Sequence, residues 1–271
     1  MESPLTDADL DKAFVFAKDL ARQSGEIITK YFQSADMAKN WKEDNSIVTV
    51  ADTTINQLVI SKIQESYPEH GVYGEEDTYE IEREWLWVVD PLDGTSPFSL
   101  GIPISTFALA LVHNGDVIFS IVFDPFQDRM FVARKGQGAF VNDAKLEVSK
   151  EDTFKRQFVL SFRSLTKPDH KGVNIMFDEL QRQGAKIYMF AGFSYGGALV
   201  AEGRFVAACM VYGSPWDAAA ISLIVQEAGG KATDMNGKPR KYNVWGDGLI
   251  VSNSLVHDRL VKLIDYENTR D

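Results

Sequence analysis

Apolar residues along the first stretch of the chain recur at helical spacing. Leu10, Phe14, Ala17, Ala21 and Ile28 share one stripe, and Thr6 with Asp9 supplies a capping-box start. A second helix is expected from Asp52, carrying Ile55, Leu58, Val59 and Ile63 until Pro68 forbids continuation. Between Glu84 and Val141 the pattern changes. The runs WLWVVD, TFALALVHNGDVIFSIVFD and RMFVARKGQGAFVN are β-rich and punctuated by turn residues, with HNGD a hairpin signal. Beyond Lys150 strands and helices alternate. Strands are expected near QFVLSF, KIYMF and RFVAACMVY, and helices near GVNIMFDELQRQG, GALVAEG and WDAAAISLIVQEAGG. The order predicts a mixed α/β chain (α+β in its sheets) of two intimate subdomains, 1–145 and 146–271, without a long linker.

Composition narrows the function classes. The 271 residues are 45% hydrophobic, enough for a large core, and the net charge of −11 argues against nucleic acid or an anionic membrane as partner. The single cysteine, Cys209, sits in an apolar run, so it forms no internal disulfide and reads as a buried small hydrophobe. No apolar run is long enough for a membrane span and the N-terminus lacks a signal-peptide pattern, so a cytoplasmic location is expected. The histidines, His70, His113, His170 and His257, show no metal-ligand spacing.

One apolar run ends in an unusual way. WLWVVDPLDGTSPF drives a strand into Asp90 and Asp93, three residues apart in a Pro- and Gly-containing turn. Acids at a strand end are held by the sheet and exposed at its rim, where their repulsion calls for a cation. As isolated features they are good turn formers. Four other acidic residues also have ordinary readings. Glu75 and Glu76 in GEED read as a solvated loop, and Asp52 and Asp217 read as helix N-caps. Acting together they form an all-oxygen set of the kind that suits Mg²⁺.

The motifs GEED, WVVDPLDGTSPF and PWDAAAISLIVQEAGG, supported by DNSIVTVAD and FDPFQDRMFVARKGQGAFVN, resemble the inositol monophosphatase family of metal-dependent phosphatases over nearly the whole chain. That superfamily also includes fructose bisphosphatases, histidinol-phosphate phosphatases and 3′-phosphonucleotide phosphatases. The resemblance implies a layered αβαβα sandwich, with most metal ligands in the first subdomain and Asp217 in the second. It also implies Mg²⁺-dependent hydrolysis of a small phosphate monoester by metal-activated water. Glu75, Asp90, Asp93, Asp217 and the Leu92 carbonyl match the ligands of two or three Mg²⁺ ions, and Glu76 matches a supporting acid. Asp52 and Thr95 match the pair that orients and deprotonates water. Gly94 and Thr95 match the turn whose N–H groups receive phosphate, Asp93 and Asp217 also border the substrate, and lithium sensitivity and a homodimer are expected. In the substrate wall the pattern departs: Met210 stands where the family places a ring-contacting Glu, and Ala191 and Gly192 stand near the position of a usual Arg-Gly-Ser/Thr. A small phosphorylated metabolite is the expected substrate. Alternatives are another phosphatase of the superfamily, or a regulatory binding protein that keeps the fold.

Overall fold

The computed structural model describes residues 5–34, 38–162, 171–189 and 192–268. α1 (Asp7–Tyr31) starts where the capping signal places it: the Asp9 N–H donates to Thr6 Oγ1, and Asp9 Oδ2 accepts from the Thr6 N–H. A short hairpin, β1 (Lys39–Trp41) and β2 (Ile47–Thr49), leads into α2 (Val50–Ser66). The helix therefore begins before Asp52, which occupies its third position and reaches back to Thr49, the N-cap.

The larger sheet contains β3 (Gly71–Gly74), β4 (Thr78–Tyr79), β5 (Trp85–Asp93), β6 (Thr106–His113), β7 (Asp116–Asp124), β8 (Arg129–Arg134), β9 (Gly138–Val141) and β10 (Ala144–Lys145). The short α3 (Thr95–Ser99) lies between β5 and β6. Strand order is β10-β9-β8-β7-β6-β5-β3-β4, and only the β3/β5 pair is parallel. The HNGD signal closes the β6–β7 hairpin. Asn114 (φ 50°) and Gly115 (φ 83°) are both left-handed, as a two-residue turn matched to sheet twist requires.

The second sheet is built from β11 (Phe158–Phe162), β12 (Lys186–Tyr188), β13 (Ala207–Met210), β14 (Lys231–Thr233) and β15 (Leu249–Ser252), in the order β12-β11-β13-β15-β14. With them come α4 (Lys171–Arg182), α5 (Phe193–Ala201), α6 (Pro215–Glu227) and α7 (His257–Asn268). β14 and β15 have no counterpart among the sequence expectations. Each is a three- or four-residue run, too short to show a period, and is formed by pairing, β15 with β13 and β14 with β15.

Side-chain alternation sorts these elements into five layers. Trp85, Trp87 and Val89 of β5 pack with α1 and α2, whereas Leu86 and Val88 turn to the opposite face. There they meet α5 and α6, which lie between the two sheets, since Leu160, Ala208 and Met210 of the second sheet join the same apolar cluster. α4 and α7 cover the far face through Met176, Phe177, Leu180 and Leu260. This is the expected αβαβα sandwich. The central position of α6 explains a helix apolar almost all round, with every residue from Ala218 to Val225 buried. The first sheet ends at Lys145, and the central helices join it to the second. Among the described residues no helix is long and apolar enough to cross a membrane.

Candidate active site

Asp90 inherits the direction of Leu86 and Val88, so the strand aims its carboxylate into the central layer toward α6. β5 does not stop there. Its pairing with β6 slips between Asp90 and Asp93, and Asp90 Oδ1 accepts the Leu92 N–H at 3.0 Å across the bulge. The slip lets Leu92 pack into the outer core while Asp93 is delivered beside Asp90. The next residue must turn sharply. Gly94 has φ of 92°, a conformation cheap for glycine alone, and it caps α3.

The third acid comes from the other half of the chain. Asp217 occupies the third position of α6, after the N-cap Ser214, whose hydroxyl donates to the Asp217 carboxylate. One oxygen each from Asp90, Asp93 and Asp217 lie within 4.8 Å of one another. Charges at that spacing repel by about 3–4 kcal/mol per pair at an effective dielectric near 20. Glu75 follows β3, whose parallel pairing with β5 puts both strand ends on one rim, and its N–H donates to the Val89 carbonyl at 3.2 Å. Gly74 is needed at this corner, because a Cβ would lie 2.3 Å from Asn56 Oδ1.

Burial raises the pKa of all four acids. Their neighbours add to it, Asp217 acting on Glu75 and Asp93, and Glu75 acting on Asp90. One cation answers this charge directly. Lys42 Nζ, from the β1–β2 hairpin, lies 2.5 Å from Glu76 Oε1 and 3.4 Å from Glu75 Oε1. Sequence reasoning missed it, since nothing local marks a lysine whose partners are 33 and 34 residues away.

Asp52 and Thr95 also meet. Asp52 is fully buried, its Oδ2 held by the Thr49 N–H (2.8 Å) and hydroxyl (2.5 Å), and its Oδ1 lies 3.0 Å from Thr95 Oγ1. Burial pushes its pKa up to about 6 against those hydrogen bonds. Thr95 Oγ1 also lies 3.1 Å from the Leu92 carbonyl. Its single proton can serve one acceptor at a time, and the carboxylate is the stronger.

Asp93 reaches across to α5, accepting from the N–H groups of Phe193 (3.0 Å) and Ser194 (2.6 Å). Gly192, the N-cap of α5, is beside it: a Cβ there would lie 3.9 Å from Asp93 Oδ2. Ala191 lies outside the described residues. Met210 requires a correction. By strand alternation it points into the central layer, has no exposed surface and packs in the apolar cluster with Leu160 and Leu249. It is core rather than substrate wall.

Among the described residues, soft donors take no part. Burial pushes the Cys209 thiol up to about 12. His70 Nδ1 accepts from Trp87 Nε1, and both nitrogens of His257 lie 2.8 Å from hydroxyls of Thr233 and Ser252. A crowded set of oxygen donors short of counter-charge fits a hard divalent cation.

Comparison with known proteins agrees with this geometry. The model of the inositol monophosphatase family matches residues 9–268. A Thermotoga maritima fructose-1,6-bisphosphatase/inositol-1-monophosphatase is 30% identical, covering 92% of this chain and 94% of its own. A Pseudomonas aeruginosa protein named Nus factor SuhB is 33% identical over 80% of this chain and 83% of its own. The solved structure of a Thermotoga maritima IMPase superposes with a TM-score of 0.83 at 28% identity, covering 94% of this chain and 97% of that one. The chain belongs to the inositol monophosphatase family.

Proposed function

We propose that the protein is a Mg²⁺-dependent phosphomonoesterase, inositol monophosphatase-like, acting on a small phosphorylated metabolite. The observation that carries this reading is the convergence of Asp90, Asp93 and Asp217 beside the Asp52–Thr95 pair. Asp90, Asp93, Asp217, Glu75 and the Leu92 carbonyl would hold the ions, and Glu76 would support them. Bound Mg²⁺ would neutralise the acids, polarise the phosphoryl group and make water acidic enough to react. The chain supplies the rest. Thr95 donates its proton to Asp52 and so leaves a lone pair facing the site, where it accepts a hydrogen bond from water and orients it. As the water's proton passes to Thr95 Oγ1, the Thr95 hydroxyl proton passes to Asp52, whose pKa is pushed up to about 6, so that Asp52 ends with the one proton released. The backbone N–H groups of Gly94 and Thr95, at the start of α3, are offered to phosphate oxygens. Family resemblance adds Li⁺ inhibition, a homodimer and a cytoplasmic location.

A screen of phosphorylated metabolites, with phosphate release as the readout, tests the reading. Activity should appear with Mg²⁺ on at least one small monoester and vanish in Asp93→Asn. The Nus factor name of the Pseudomonas relative favours a second reading, in which the fold engages a macromolecular partner. Release from no substrate, with or without Mg²⁺, would favour that reading.

A further inference from the structure

Asp217 depends on how α6 begins, and α6 begins against a buried arginine. Arg240 lies in the loop between β14 and β15, only 8% exposed. Its guanidinium donates to three backbone carbonyls: Nη1 to Gly248 at 2.7 Å, Nη2 to Ser214 at 3.0 Å, and Nη2 to Gly213. Gly213 and Ser214 are the two residues immediately before α6, and Ser214 is the N-cap whose hydroxyl bonds Asp217. The loop is pressed close on both sides. Gly246 N–H donates to the Gly213 carbonyl at 3.0 Å, and a Cβ on Gly213 would fall 1.6 Å from the Gly246 carbonyl oxygen. A Cβ on Gly246 would lie 2.7 Å from Arg240 Nε. Gly246 leaves the room that the guanidinium needs, and Gly213 leaves the room that the Gly246 backbone needs.

We infer that Arg240 is a positioning residue for the metal centre. Its fork clamps the carbonyls that set where α6 starts, and hence where Asp217 delivers its oxygen. A planar group with fixed donors can hold carbonyls from two segments at once, which a lysine ammonium does less well. The inference rests on the reading of Asp217 as a metal ligand. Position and charge predict opposite signs. If Arg240 acts by its charge, removing it lessens repulsion and tightens cation binding. If it acts by its fork, losing it misplaces Asp217 and weakens binding.

The experiment is Mn²⁺ titration of the chelator-treated full chain by calorimetry at 20 °C, with thermal unfolding recorded in parallel. Residues that orient metal ligands typically change affinity by roughly 10- to 100-fold when replaced. Arg240→Met and Arg240→Lys should both weaken Mn²⁺ binding in that range. Gly246→Ala, which displaces the guanidinium without removing it, should weaken it in the same direction and keeps the test open if Arg240→Met does not fold. Unchanged binding in the folded variants, with only the unfolding temperature lowered, would reduce Arg240 to a structural residue. Wild-type affinity in Arg240→Lys would overturn the clamp, and tighter binding in Arg240→Met beside it would assign the effect to charge. Absence of Mn²⁺ binding by the wild type would remove the metal reading, and this inference with it.

Discussion

Two buried polar clusters in this molecule have opposite characters. Behind β15, His257 is fully buried with one ring nitrogen 2.8 Å from Thr233 Oγ1 and the other 2.8 Å from Ser252 Oγ. Every group there is neutral and partnered, and burial holds the imidazole pKa down to about 4. At the ends of β3 and β5 and the start of α6, four acids are gathered so that burial pushes their pKa values up, with repulsion from neighbouring acids adding to it at Glu75, Asp90 and Asp93. The histidine cluster holds a structure together. The acid cluster stores unfavourable energy that a cation would release, and such sites tend to be functional.

The sharpest way to separate them is to mutate each. Asp93→Asn removes a charge from the acid cluster with almost no change in shape. Turnover should fall on the order of 10² or more. Thermal stability should move little, because a repulsion is removed while an acceptor for the Phe193 and Ser194 N–H groups is weakened. Thr95→Ala, which takes away the hydroxyl beside Asp52, should also cost ~10² in kcat without displacing metal. Steady-state kinetics with unfolding curves on the same samples checks both. Near-native turnover in either would withdraw the role assigned to that residue.

His257→Ala should behave in reverse. It takes away the ring nitrogen that partners the Ser252 hydroxyl and leaves the Thr233 hydroxyl only the Asp234 carbonyl, at about 1–3 kcal/mol, while activity per folded molecule stays at the wild-type level. Met210→Glu would set a carboxylate in the central apolar layer. It should destabilise by several kcal/mol through an unpaired buried charge, instead of improving inositol phosphate as a substrate.

How far these regions were legible in the sequence follows from what is local. The α1 start and the Asn114–Gly115 turn are written within a few residues, and both formed as read. The acids were found from motifs, and strand alternation explains why Asp90 faces α6. Met210 was misread because its position in an aligned motif carries no information about which face of β13 it occupies. Lys42 and Arg240 were invisible for another reason: their partners are brought near only by folding, across 33 residues for Lys42 and 26 for the Arg240–Ser214 contact.

The smallest expected effect sharpens the comparison by pH. Unfolded carboxylates titrate near 4, whereas in the folded chain Asp93 is pushed up to about 7 and Glu75 to about 8. The folded protein therefore keeps protons that the unfolded chain releases. That stabilising contribution is full below about pH 4 and is lost as pH rises through the folded values. His70 and His257, both lowered to about 4, contribute with the opposite sign. Their share is complete above about 6.5 and is lost as pH falls toward 4. Between pH 6.5 and 8 only the acids act, so the unfolding temperature in chelator should drop by a few degrees across that interval. Mg²⁺ should remove the drop. A rise with pH in chelator would contradict the assigned signs.

The central claim, that the acid cluster is a metal centre for phosphomonoester hydrolysis, is tested most directly by chelation and add-back. Purified protein is treated exhaustively with EDTA, freed of chelator, and assayed for phosphate release from its best substrate before and after Mg²⁺ is restored. The account predicts no detectable turnover before restoration and full recovery after it. Undiminished turnover in the metal-free protein would contradict it.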